Sequence, residues 1–141
     1  MKVVLPFDDS ACSMRALEFV LHKLKPSCSR LDLHLLHVHP PIPYPGAVAA
    51  VGHEKADDYY REEGAAALKP ARARLDREQL PYRAEILVGE PGETITQYAG
   101  EVGADQIVMG THGRTGITSL LLGSVAHDVI HHSRIPVVLV K

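Results

Sequence analysis

Val3-Val4-Leu5-Pro6-Phe7 is an unbroken apolar run that ends at Asp8-Asp9-Ser10, the pattern of a strand covered on both faces. Met14, Leu17, Leu21 and Leu24 then recur at three- and four-residue steps. They predict a helix that Asp9 or Ser10 caps and that stops near Pro26. Leu31, Leu33 and Leu35 alternate with Asp32 and His34 and lead into Leu36-His37-Val38-His39, a second strand. From Pro40 to Gly52 four prolines, Pro40, Pro41, Pro43 and Pro45, forbid regular pairing, which predicts a loop. A stripe through Tyr60, Ala67, Ala71 and Leu75 keeps its phase across Pro70, so one kinked helix is expected from about Glu54 to Gln79. Tyr82, Ala84, Ile86 and Val88 alternate with Arg83 and Glu85, a third strand that Gly89 ends. Pro91 opens a helix with Ile95, Tyr98, Ala99 and Val102 on one face, and Gly103 closes it. Gln106 to Met109 is the fourth strand. Leu121, Leu122, Val125, Val129 and Ile130 make a last helical stripe, and Val137 to Val140 the fifth strand.

Five strands alternating with four helices predict an α/β fold: a doubly wound parallel sheet with helices on both faces. At 141 residues the chain, 1–141, fits one domain with a sizeable core. The pattern alone leaves strand order open. In such sheets a ligand binds beyond the carboxyl ends of the strands, where the strand order reverses.

Charge narrows the partners: 15 basic against 17 acidic residues, net -2, gives no broad basic face for nucleic acid. Cys12 and Cys28 form no C-x-x-C pair, zinc pattern or disulfide framework, so free thiols in a reducing compartment are expected, with Cys12 packed at the start of the first helix. The opening apolar run is too short for a signal peptide, and no later run reaches about 18 residues. A cytoplasmic protein that does not enter the membrane is expected.

Candidate chemistry is concentrated in Gly110-Thr111-His112-Gly113-Arg114-Thr115-Gly116, followed by Leu120-Leu121-Leu122-Gly123-Ser124-Val125. Glycines at a strand-to-helix turn let the backbone turn tightly and approach a ligand. Peptide N–H groups and a helix N-terminus there can form an anion site. Thr111, Thr115 and Ser124 add hydroxyls, and His112 and Arg114 add charge. The stretch is neither a Walker A loop, which needs a Lys before its Ser or Thr, nor G-x-G-x-x-G.

The spacing Gly110-x2-Gly113-x9-Gly123-Ser124, within Ile107 to Ser124, resembles the ATP-binding signature of the universal stress protein family. The resemblance covers the whole chain, through Asp8-Asp9-Ser10, His37-Val38, Gly89-Glu90-Pro91 and Pro136-Val137-Val138-Leu139-Val140. It implies strand order 3-2-1-4-5, an adenine nucleotide alpha hydrolase-like sheet, and bound ATP with Mg²⁺. The switch then lies between the first and fourth strands, with Asp8-Asp9-Ser10 and the glycine turn on opposite lips of one cleft. By family position, Pro6 and Phe7 wall the nucleoside, and the backbone of Val38 meets the adenine edge. Gly110, His112 and Gly113, with Met109 beside them, lie at the ribose and inner phosphates. Gly123, Ser124 and Val125 lie at the outer phosphates. Asp8 is expected to face a ribose hydroxyl or help hold Mg²⁺, although capping of the first helix by Asp8 or Asp9 is the plainer role. Close packing inside a helix is the plainer role for Gly123. The resemblance also implies a homodimer joined through the edge strand Val137–Val140, since an open apolar edge is an aggregation hazard.

The expected function is that of an ATP-binding regulatory or stress-response protein. A slow ATP hydrolase or an adenylating enzyme of the same fold, and a nucleotide-free interaction module, are the alternatives. No lysine stands in the glycine stretch and no general base is evident, so efficient catalysis is not expected. His127 and His131 lie four apart, and His37 and His39 share a strand face. Neither pair has a third ligand, so these read as surface histidines. The Pro40 to Gly52 segment is either a lid or a crossover connection.

Overall fold

The computed structural model describes residues 1–43, 45–114 and 122–141. Thr115, Gly116, Leu120 and Leu121, assigned above to the glycine turn and the final helical stripe, lie outside the described residues.

The strands are β1 (Lys2–Pro6), β2 (Asp32–His39), β3 (Tyr82–Val88), β4 (Gln106–Gly110) and β5 (Val137–Val140). They form one parallel sheet in the order β3-β2-β1-β4-β5, the order expected. The helices are α1 (Ala11–Phe19), which continues through a π-helical turn (Val20–Leu24) into α2 (Lys25–Ser27), then α3 (Pro45–Val51), α4 (His53–Arg77), α5 (Pro91–Glu101) and α6 (Ser124–His132).

The unbroken apolar character of β1 follows from its central place. Val3 and Leu5 face one core with Leu33, Leu35, Leu17, Val20, Leu68 and Leu75, while Val4 faces the other with Leu36, Ile107, Ile95, Ala99 and Val129. A helix layer covers each face, so β1 has no polar side. Each fully buried leucine contributes about 1.5–3 kcal/mol by leaving water.

Helix α4 runs through Pro70 without a break. The bond that a proline cannot donate is lost, and buried Ala67, Leu68 and Ala71 on either side hold the helix against the sheet. At the end of α5, Gly103 takes φ +64, with its N–H on Gly100 O at 3.1 Å and the Ala104 N–H on Ala99 O at 2.9 Å. Only a residue tolerant of the left-handed region closes a helix this way.

Of the two caps expected for α1, Ser10 is the one used: its Oγ accepts the Ser13 N–H at 3.1 Å. Other expectations change. Asp9 takes φ +64 and serves the turn with its backbone, a conformation that Asp tolerates better than most residues. The Pro40 to Gly52 segment is not wholly loop. Pro45 opens α3, because its restricted φ suits a first helical turn, and no further proline follows before Gly52, at φ +90. In β3 Val88 is exposed, while Leu87 packs toward the α5/α6 core. Helix α6 begins only at Ser124, so Leu122 precedes it; Ala126 and Val129 are its buried residues, and Ile130 faces out.

His37 is buried, against the expectation of a surface histidine, and His34 is buried as well. His34 Nδ1 lies 2.8 Å from the Tyr98 hydroxyl, and Nε2 is 3.6 Å from Asp32 Oδ1 with no hydrogen-bond partner. The tautomer that fits carries its proton on Nε2, toward Asp32, and accepts from Tyr98 at Nδ1. Burial lowers the His34 pKa, with the Asp32 charge opposing it. Above about 6.5, the ordinary imidazole value, both folded and unfolded chains hold this ring neutral. As pH falls through that value the unfolded chain takes up a proton that the folded one refuses, so stability drops until pH passes below the depressed folded value. Urea unfolding midpoints between pH 8 and 5 are therefore expected to decline below about 6.5, and His34→Gln, which cannot titrate, is expected to flatten that decline.

Candidate functional site

Beyond the carboxyl ends of β1 and β4, adjacent at the switch in strand order, lies a cavity of about 570 Å³. That volume suits a small-molecule ligand. Pro6, Phe7 and Asp8 line it from β1, and Val38 from β2. Met109, Gly110, Thr111, His112 and Gly113 line it from the end of β4, and Gly123, Ser124 and Val125 from the start of α6. Every described residue singled out as a ligand contact in the sequence thus reaches one cavity. Leu36, Ile95 and Ala126 add apolar wall on the α5/α6 side.

Close approach, strictest at Gly110, and not positive φ is what these glycines provide. Among the described glycines positive φ occurs at Gly52 and Gly103 and at none of Gly110, Gly113 and Gly123. A Cβ on Gly110 would meet Cys12 Cβ at 2.6 Å and Ser13 N at 2.9 Å, so this glycine lets the first turn of α1 settle on the end of β4. On Gly113 it would lie 2.9 Å from Asp8 Oδ2, and on Gly123 3.0 Å from Thr111 O. Gly123 is not inside a helix. It is the N-cap of α6, seated on the Thr111–His112 backbone.

The amides are also distributed differently from the converging nest that the sequence suggested. Thr111 N–H donates to Val140 O at 3.0 Å and Gly123 N–H to Thr111 O at 2.7 Å, so both are spent within the protein. Thr111 is buried, with its hydroxyl 3.0 Å from His112 Nδ1. The first-turn amides of α6 remain. Gly123 supplies no side-chain cap, and the helix cannot satisfy Ser124, Val125 and Ala126 by itself. They carry the positive end of the helix dipole toward the cavity that these three residues line.

Asp8 does not stand across the cleft from the glycine turn. Its Oδ1 accepts the Ser10 N–H at 3.1 Å, its Oδ2 lies beside Gly113, and Ser10 Oγ donates to His112 O at 3.4 Å, so the two lips join at this end. Asp8 is the one carboxylate among the described lining residues. One carboxylate cannot hold a free Mg²⁺, but it fits an ion that draws its other ligands from phosphates and water. Among the described residues no group of three or more His, Cys, Asp or Glu gathers as a metal site. His127 and His131 stack exposed on α6, whereas His37 and His39 are separately engaged, Nδ1 on Phe7 O at 2.9 Å and on Pro40 O at 2.6 Å.

The far side of the cavity is set by an overhang of β2. Pairing with β1 ends at Pro6 and Leu36, with the Phe7 N–H on Leu36 O at 2.8 Å, whereas β2 continues to His39 opposite Val88 of β3. Backbone polar groups of alternate residues point to alternate neighbours in a parallel sheet. Val38, like Leu36, therefore points toward β1, which has already ended. Ser13, His37, Pro40, Pro91 and Ile95 also line the cavity, and the sequence reading did not single them out as ligand contacts. The rule that ligands sit beyond strand ends points to His37 and Pro40. Ser13, Pro91 and Ile95 carry no such signal, because which helix covers which face is a tertiary matter.

An open sheet wound in this order, with its cleft between the first and fourth strands and an uncapped helix at one end, defines a doubly wound α/β protein with a switch-point site. The family model for the universal stress protein family matches residues 1–141, and the chain belongs to that family. A universal stress protein of Methanocaldococcus jannaschii is 34% identical over 140 residues, covering 99% of this chain and 81% of the relative. The solved structure of another universal stress protein of that organism superposes with a TM-score of 0.80 at 31% identity, covering 99% of this chain and 94% of that one. The universal stress protein of Archaeoglobus fulgidus in complex with dAMP gives 0.69 at 25% identity, covering 100% and 98%.

If Gly110 is a spacer, Gly110→Ala should lower stability by about 1–3 kcal/mol through overpacking against α1. Gly100→Ala, in α5 with nothing within 4 Å of the added Cβ, should raise it by about 0.5–1 kcal/mol. Equal urea midpoints for the two variants would contradict the assignment.

Proposed function

We propose that the cleft binds an adenine nucleotide, that the nucleotide is ATP with Mg²⁺, and that occupancy serves a regulatory or stress-response role and not efficient catalysis. The observation that carries this reading is the polarity of the cavity: one end apolar beside the open peptide of Val38, the other facing first-turn amides that α6 itself leaves without an intrahelical partner. A base and a polyphosphate differ in the same sense. That the A. fulgidus relative was solved in complex with dAMP supports an adenine nucleotide as the ligand.

In this reading adenine lies against Val38, with Pro6 and Phe7 as walls. Ribose and the inner phosphates pass Met109, Gly110, Thr111, His112 and Gly113, and the outer phosphates meet Gly123, Ser124 and Val125. Asp8 holds Mg²⁺ together with phosphate oxygens or accepts from a ribose hydroxyl; the ion, when bound, neutralises phosphate charge. No lysine lies between Gly110 and Ser124 to stabilise charge developing on a transferred phosphoryl group. That absence favours occupancy over turnover as the signal.

The chain is also proposed to pair with a second copy through β5. Val137–Val140 is an apolar, half-buried sheet edge, with Val138 and Val140 packed on one core and Val137 and Leu139 on the other. Edge pairing about a two-fold axis would protect it. No helix among the described residues is long and apolar enough to cross a membrane.

Ser124→Asp separates binding from folding. A carboxylate in the first turn of α6 suits the helix dipole and is expected to leave the unfolding midpoint unchanged or slightly raised. It repels the outer phosphates, so ATP affinity by calorimetry should fall about tenfold or more while AMP is far less affected. Wild-type protein that takes up no ATP, and whose denatured supernatant shows no adenine absorbance, would sink the nucleotide reading. A monomer by light scattering at micromolar concentration would sink the dimer.

A further inference from the structure

Among the described residues lining the cavity, His37 is the buried titratable one, and its ring replaces a bond of the sheet. In a parallel ladder the Phe7 N–H reaches Leu36 O, as it does here at 2.8 Å, and the next bond would run from the Val38 N–H to Phe7 O. That oxygen is instead engaged by His37 Nδ1 at 2.9 Å. A carbonyl only accepts, so the proton is on Nδ1. The side chain of one residue thus takes the acceptor that the backbone of the next would use. Because β1 ends here while β2 runs on to His39, the N–H and C=O of Val38 open together on the cavity side.

We propose that His37 is a positioning residue: by capping the Phe7 carbonyl it stops the β1–β2 ladder at Leu36 and holds the Val38 peptide open to read the edge of the base. The proposal rests on the nucleotide reading above and names what makes that site choose adenine. A neighbouring N–H and C=O offer a donor beside an acceptor, which complements the ring nitrogen and exocyclic amine of adenine. Hypoxanthine, with a carbonyl in place of the amine, sets oxygen against the Val38 oxygen. With the Phe7 carbonyl uncapped, that oxygen draws the Val38 N–H back into the ladder and the reading edge closes.

The test uses the full chain with ATP and inosine triphosphate as calorimetric ligands, and follows hydrogen exchange of the Val38 amide without nucleotide. His37→Asn keeps a donor near the Nδ1 position, whereas His37→Gln carries its amide to the Nε2 position and leaves Phe7 uncapped. Wild type and His37→Asn are expected to prefer ATP about tenfold or more, the scale of a lost buried hydrogen bond, with rapid Val38 exchange. His37→Gln is expected to bring the ratio within about twofold and to slow that exchange, as one ladder bond is gained. An unchanged ratio in His37→Gln overturns the proposal. So does strong protection of Val38 in the wild type, a result that requires no variant to fold. If the wild type binds neither nucleotide, the nucleotide reading falls, and equal exchange in all three proteins overturns the positioning role as well.

Discussion

The geometry of the cleft depends on one hydrogen bond, from the Gly123 N–H to Thr111 O at 2.7 Å. It ties the start of α6 to the residue that follows β4, and Thr111 is itself tied to β5 through its N–H on Val140 O. The positive end of α6 is thereby fixed relative to the sheet. Glycine suits the bond, since a Cβ at 123 would come within 3.0 Å of the oxygen it serves. The same residue leaves the first-turn amides uncapped, so one choice both seats the helix and keeps its end open to an anion.

The other end of the cavity follows from unequal strand lengths. β1 stops at Pro6 and turns through Asp8, Asp9 and Ser10, and the π-helical turn after α1 belongs to the same crossover. β2 runs three residues past the partner of Pro6, so its edge has no neighbour there. Buried apolar side chains from both helix layers hold the two ends at a fixed separation. The chemistry of such a cleft is positioning by backbone groups, in agreement with the lack of a lysine in the glycine stretch.

Most strands and helices were legible because burial imposes a period. Alternation in β3 and three- and four-residue steps in α1, α4 and α5 are direct consequences of which faces meet the core. Errors fell where a local signal competes with packing. Four prolines excluded strand pairing after β2 but not a helix, and Pro45 opens one. Ile130 adjoins an apolar stripe, but the helix buries Ala126 and Val129 and leaves it exposed.

Sequence alone determined the doubly wound α/β class and, through the spacing of Gly110, Gly113 and Gly123, the family and the segments that meet at its cleft. These properties are carried by side-chain type and interval, which a linear chain records. Tertiary structure decided what each glycine is for, which amides are spent within the protein, and how His37 comes to hold the Phe7 carbonyl beside an open Val38. Those outcomes depend on distances between backbones far apart in the chain, and no interval along it encodes them.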